Sequence, residues 1–260
     1  MSDELVLYEV RPPAAVITIN RADKRNALSR ALIAALHAAF VRARDDRAVR
    51  CVLLTHAGPT FCAGMDLAEL RESIESQASP DGIWNDALSL ARLYDLIYTL
   101  PKPTLAAVGG AAVAGGAGLV TVCDLAIATP GAKFGYPEVR RGLVAAMVLP
   151  HLMRHVGERM ARHLLLSGDQ IDSKAAFTSG LINEVVDESR LHGRAMELLQ
   201  ACAEGGPLAL AATKSLLAQF SKQAKSIEEA AQASAAPRLG IECKQGLEAF
   251  FDKRPAPWVQ

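Results

Sequence analysis

Two short segments carry glycines where backbone N–H groups could do chemistry. The first is GGAAVAGGAGLVTVCD, starting at Gly109, which up to Cys123 belongs to a run from Thr104 that holds no charged side chain. The second is FCAGMDL, residues 61 to 67, just after the apolar run CVLLTHA. If a strand ends near Val113 and a helix begins near Gly115, the unpaired N–H groups of that first turn face whatever cavity lies there, and the helix dipole adds positive potential. In FCAGMDL, Asp66 is placed to cap the helix containing LAEL, which leaves the amides around Gly64 and Met65 as free donors. Two such helix starts could direct two N–H groups at one oxygen and stabilise a developing oxyanion by around 3 to 4 kcal/mol per donor. Spacing alone does not establish that the segments meet. Close packing of a small-residue helix on a strand explains the same glycines.

Other chemistries fit less well. A phosphate loop needs Lys and Ser or Thr after its last glycine; Gly110 and Gly115 have the spacing, but Gly116 and Ala117 follow. Neither a GxGxxG fingerprint nor a GxSxG elbow is present. The uncharged run has the length of a membrane span, yet its glycines contribute little transfer energy and no second span exists. His151 and His155 stand four apart on a helical pattern without an HExxH glutamate, so they read as solvated or capping histidines rather than metal ligands. Cys62 and Cys123 read as small core fillers.

The elements that must position these residues follow from composition and periodicity. The 260 residues are 50% hydrophobic but only 5% aromatic, so the core is built from Ala, Val, Leu and Ile, which suits helices packed on sheets and an α/β class. Basic and acidic residues balance at 28 each, which argues against nucleic acid or an anionic membrane as partner. Five cysteines without a CxxC pair, and no export signal at the N-terminus, point to reduced thiols in the cytoplasm. LVLYEV and AAVITIN form a hairpin through Arg11, Pro12 and Pro13, Ser29 caps a helix, and CVLLTHA returns as a strand. A helix, a polar loop and a second helix fill residues 67 to 100 and are stopped by Pro101 and Pro103, and TLAAVGG and DLAIATP are buried strands around the glycine-rich segment. Beyond about residue 150 helices dominate, apart from a strand at INEVV. The division expected is an αβ core over residues 1–195 and a helical oligomerisation region over 196–260. SKQAKSIEEAAQ reads as a solvated helix face, and Trp258 as a subunit anchor.

RADKRNALS, FCAGMDLAEL, PKPTLAAVGGAAVAGGAGLVTVCDLAIA and AKFGYPEVRRGL, in this order and at these separations, closely resemble the crotonase (enoyl-CoA hydratase/isomerase) family from about Leu5 to AFFDKRP. The resemblance implies a spiral of ββα units with C-terminal helices that assemble a homotrimer or a dimer of trimers. It implies an acyl-CoA substrate whose thioester oxygen lies between the N–H groups of Met65 and Gly115, with coenzyme A as part of the substrate and no further cofactor or metal. Ala63, Asp66, Leu67 and Arg25 would lie along the CoA, and Phe250 and Lys253 would reach CoA of the same or a neighbouring subunit. Met65, Trp84 and Met147 would line the acyl end.

The family's two-glutamate hydratases carry one acid in the glycine-rich helix and one in a PE motif. The first position here is Gly118; the second is Glu138. Preceded by a proline in a weakly polar setting, Glu138 could be raised toward neutrality by burial and serve as general acid/base, unless it is a surface glutamate paired with Arg140 or Arg141. Hydration of a 2-enoyl-CoA is the expected activity. A double-bond shift by the single Glu138, a non-catalytic acyl-CoA-binding protein and a purely structural oligomerisation module are the alternatives.

Overall fold

The computed structural model describes residues 4–76, 79–220 and 227–255. β-Branched and aromatic side chains about the Pro12–Pro13 turn give the hairpin: β1 (Val6–Arg11) and β2 (Ala14–Ile19) pair antiparallel, Val6 opposite Ile19. Ser29 ends the loop that follows, its hydroxyl accepting from Leu32 N at 3.1 Å, and so starts α1 (Arg30–Asp45). Leu32, Leu36 and Phe40, on one stripe of α1, are fully buried.

The chain then repeats a strand–strand–helix unit. The first turn is β3 (Cys51–His56), β4 (Thr60–Cys62), α2 (Leu67–Glu75) and α3 (Pro80–Thr99). The second is β5 (Thr104–Val108), β6 (Ala111–Val113) and α4 (Gly115–Thr121). The third is β7 (Leu125–Ala128), β8 (Lys133–Gly135), a 3-10 turn at Pro137–Arg141 and α5 (Leu149–Ser167). After it come β9 (Gln170–Asp172), α6 (Ser173–Thr178), β10 (Glu184–Val185) and α7 (Leu191–Ala203). Each turn gives its first strand to a six-stranded sheet of order β1-β2-β3-β5-β7-β10 and its second to a four-stranded sheet of order β4-β6-β8-β9. This is the spiral of ββα units that the resemblance implies. Parallel strands covered on both faces read as continuous apolar runs: Leu53, Leu105 and Ile127 pack with Leu191, Ala195 and Leu199 of α7, whereas Val52, Leu54, Ala106 and Ala128 face the main core. The division expected between residues 195 and 196 runs through α7.

Three further helices complete the described chain: α8 (Pro207–Phe220), α9 (Ile227–Ala235) and, after a 3-10 turn at Ala236–Leu239, α10 (Ile241–Phe251). Ala231 and Ala235 of α9 pack on Ile83, Ala87 and Ala91 of α3, and Cys243 and Leu247 of α10 pack on Leu70 of α2. Trp258 and residues 221–226 of the charged stretch lie outside the described residues. Among the described residues no helix is long and apolar enough to cross a membrane, and no cluster of acidic, histidine or cysteine side chains is arranged for a metal. All five cysteines are free. Cys62 and Cys123 are core residues, and burial pushes each thiol up to about 12.

Candidate active site

The segment RADKRNALS holds FCAGMDL in place. Asn26, buried with a left-handed backbone at φ 54°, donates from Nδ2 to the carbonyls of Ala57 and Thr60 at 2.9 and 2.7 Å. Ala63 N donates to Arg25 O at 3.1 Å, Leu28 N to Gly64 O at 2.7 Å and Asp66 N to Leu28 O at 3.0 Å. This ladder passes over Met65, whose N–H has no acceptor among the described residues. Asp66 caps α2 as expected, accepting from Ala68 N at 3.0 Å and Glu69 N at 3.4 Å, and it also takes Arg21 Nη1 at 2.6 Å.

The glycine-rich segment arrives beside it. β6 ends at Val113, Ala114 is held at φ 52°, a costly conformation for a residue with a β-carbon, and Gly115 is the first residue of α4. The N–H of that position has no helical partner by construction of a helix. Gly64, at φ 90°, packs directly on this corner: a β-carbon there would stand 2.7 Å from Ala114 Cβ and 3.4 Å from Gly115 N. Only glycine permits the approach. The two segments therefore meet, and Met65 and Gly115 line one cavity with Glu138.

Glu138 sits in the 3-10 turn after β8, its Oε2 excluded from solvent and without a hydrogen-bond partner. Burial pushes its carboxyl up to about 7, against the smaller opposing pull of its own backbone N–H and of Arg141. The surface-ion-pair alternative fails: Arg140 turns to Asp169, and among the described residues no arginine forms an ion pair with Glu138. Gly118 faces the core. A β-carbon there would lie 2.4 Å from Tyr94 Oη and 2.6 Å from Val148 Cγ1, so the place of a first glutamate is filled by these two side chains. Tyr94 Oη, on the cavity wall, donates to Gly115 O at 2.6 Å.

The other expected residues divide. Ala63, Leu67 and Met147 line the same cavity. Trp84 does not; it belongs to α3 itself and packs in the cluster that α3 forms with α9. Arg25 is exposed, and the Asp66 side chain is occupied by its cap and by Arg21. Phe250 lies off the cavity wall, 42% exposed, with the Arg141 guanidinium 4.6 Å from its ring centroid, and Lys253 is exposed at φ 54°. His155 caps as expected, its Nε2 2.9 Å from Thr121 O at the end of α4. His151 is half-buried rather than freely solvated: it packs edge-on against Tyr98, and burial lowers its pKa to about 3. Sequence reasoning missed Tyr94, which reads as one more core position on the stripe of α3, and Arg238, which enters the cavity from the turn after α9.

A two-sheet spiral of ββα units with two backbone amides and a buried carboxyl at one cavity defines a crotonase-fold protein. The Enoyl-CoA hydratase/isomerase family model matches residues 11–260, and the chain belongs to that family. It is 40% identical over 245 residues to a Thermus thermophilus protein that bears the name enoyl-CoA hydratase provisionally, a match covering 93% of this chain and 95% of that one. A crotonyl-CoA hydratase of Syntrophomonas wolfei is 31% identical, with 100% and 99% covered. Among solved structures, an enoyl-CoA hydratase from Mycobacterium avium has 34% identity and a TM-score of 0.82, with 99% of this chain and 100% of that one covered.

Proposed function

We propose that this enzyme hydrates a 2-enoyl-CoA reversibly, with Glu138 as its single acid/base. The thioester oxygen takes the Met65 and Gly115 N–H groups, worth around 3 to 4 kcal/mol per donor as charge develops. The observation that carries the reading is the convergence of these two amides and the Glu138 carboxyl on one cavity. Coenzyme A enters as part of the substrate, and no other cofactor is required.

One carboxyl can balance the protons of hydration. Protonated Glu138 gives its proton to the α-carbon from one oxygen while the other oxygen takes a proton from the water attacking the β-carbon. The carboxyl ends protonated, as it began. A group pushed to about 7 is half in this form at neutral pH, close to the optimum for general acid–base work. Tyr94, whose proton is committed to Gly115 O, offers its oxygen to orient that water. The hydratase names of the relatives support this reading.

The filled space at Gly118 favours a second reading, in which ionised Glu138 removes a proton from one carbon of a 3-enoyl-CoA and returns it to another. Turnover of 2-enoyl- and 3-enoyl-CoA in heavy-oxygen water separates the two. Hydration places the label in the product; migration of the double bond does not, and its appearance as the sole activity overturns the first reading. The pH dependence has opposite signs: hydration by the carboxylic acid falls as pH rises through about 7, whereas isomerisation by the carboxylate rises.

A homotrimer or a dimer of trimers remains the proposed assembly, and the exposed Leu208 and Leu216 of α8 are suited to such a contact. Five free thiols suit a cytoplasmic setting.

A further inference from the structure

Arg238 is a guanidinium in the wall of the cavity with no carboxylate to hold. It is 4% exposed. Its Nη2 donates to Ser234 Oγ at 3.2 Å and lies 3.3 Å from Met65 Sδ, and it forms no ion pair among the described residues. Asp86, whose field reaches it, is already held by Arg30 through two bonds of 2.8 and 2.7 Å. Glu138, on the same cavity, leaves Oε2 without a partner, so that acid does not neutralise it either. A guanidinium has five N–H donors and cannot discharge by losing a proton. A hydroxyl and a thioether satisfy few of them, and a buried charge without a partner is among the costliest features a fold can keep.

The missing acceptor is then supplied by what fills the cavity. A planar fork of N–H donors matches the two oxygens of a carboxylate. Arg141, on the same wall with its Nε unpartnered, adds positive potential. A hydrocarbon chain would leave the buried Arg238 guanidinium without a counter-charge. Resting on the reading of this site as an acyl-CoA pocket, we propose that the acyl group ends in an ionised carboxylate received by Arg238, making the substrate a CoA monothioester of a short unsaturated dicarboxylic acid. The acid is short because Arg238 sits on the side chain of Met65, the residue whose N–H serves the thioester oxygen. Only a few carbons fit between.

The test uses CoA esters of equal chain length ending in methyl, hydroxyl or carboxylate. Saturated members are titrated for binding, and 2-enoyl members are assayed for turnover. Wild type binds the carboxylate-ended ester about 30- to 100-fold more tightly than the methyl-ended one, the scale of a desolvated charge pair. Arg238→Met abolishes this preference, and Arg238→Lys keeps part of it. Equal or tighter binding of the methyl- or hydroxyl-ended ester by wild type overturns the proposal, a result that requires no folded variant. Because binding is read without turnover, the two readings fail separately. Carboxylate preference without incorporation of labelled oxygen removes hydration and leaves this assignment; incorporation with no preference does the reverse.

Discussion

Replacing Glu138 by Gln should make the protein more stable in base while removing its activity. In the folded chain the carboxyl titrates at about 7 rather than its ordinary 4.5, and each unit corresponds to 1.36 kcal/mol, so ionising it in place costs about 3 kcal/mol. The folded state binds this proton more tightly than the unfolded chain. Stability is therefore undiminished below about 4.5, declines as pH rises from there to about 7, and stays reduced above. Gln carries no charge at any pH and escapes that loss, although its amide still lacks partners, which offsets about 1 kcal/mol or more. The expected gain is about 1–3 kcal/mol at pH near 8, and at pH near 4.5 it is gone, leaving the variant level with wild type or about 1 kcal/mol less stable. Thermal unfolding of both proteins at matched concentration reads this directly, at about 2–4 °C per kcal/mol for a chain of this size. A variant less stable than wild type at the higher pH, or a difference that does not change with pH, would refute the buried-carboxyl reasoning.

Ala at position 118 should destabilise in spite of its better helix propensity. Contacts of 2.4 and 2.6 Å with Tyr94 and Val148 have to be relieved, and overpacking of this kind costs about 1–3 kcal/mol against a gain of about 1 from replacing glycine; Val148→Ala in the same chain should recover part of the loss in a denaturation cycle. Asp66→Ala removes a helix cap and strands Arg21, a half-buried partner at 2.6 Å. It should cost about 1–3 kcal/mol in urea unfolding and raise KM more than it lowers kcat, since the loop carrying Met65 loosens.

What could be read in advance was whatever local chemistry dictates. Ser29 and Asp66 cap helices because their side chains accept N–H groups a few residues on, and the break between Val113 and Gly115 is punctuated by glycine. Strands β4, β8 and β9 could not be read, because three residues are too few to show a period and each exists only through its neighbours. Tyr94 and Arg238 were hidden for a related reason. In its own segment the first is an apolar-stripe residue of α3 and the second an ordinary charge in the turn after α9; the packing of α9 on α3 and of α3 beside α4 turns them toward the cavity. Glu138 was found through its motif, but the burial that raises its pKa comes from the folded chain.

Met65, Gly115 and Glu138 follow the second strands of three successive turns of the spiral. The spacing of the reacting groups is thus inherited from the rise between neighbouring strands, about 4.8 Å per step, and not from any single loop. Extra residues inserted within a loop can bulge outward and leave this ruler untouched. A slip of one residue in β6 against β4 cannot: it displaces one amide by about 3.3 Å and turns the strand's faces over, so in this chain the count of the short inner strands constrains the site more than the length of any loop does.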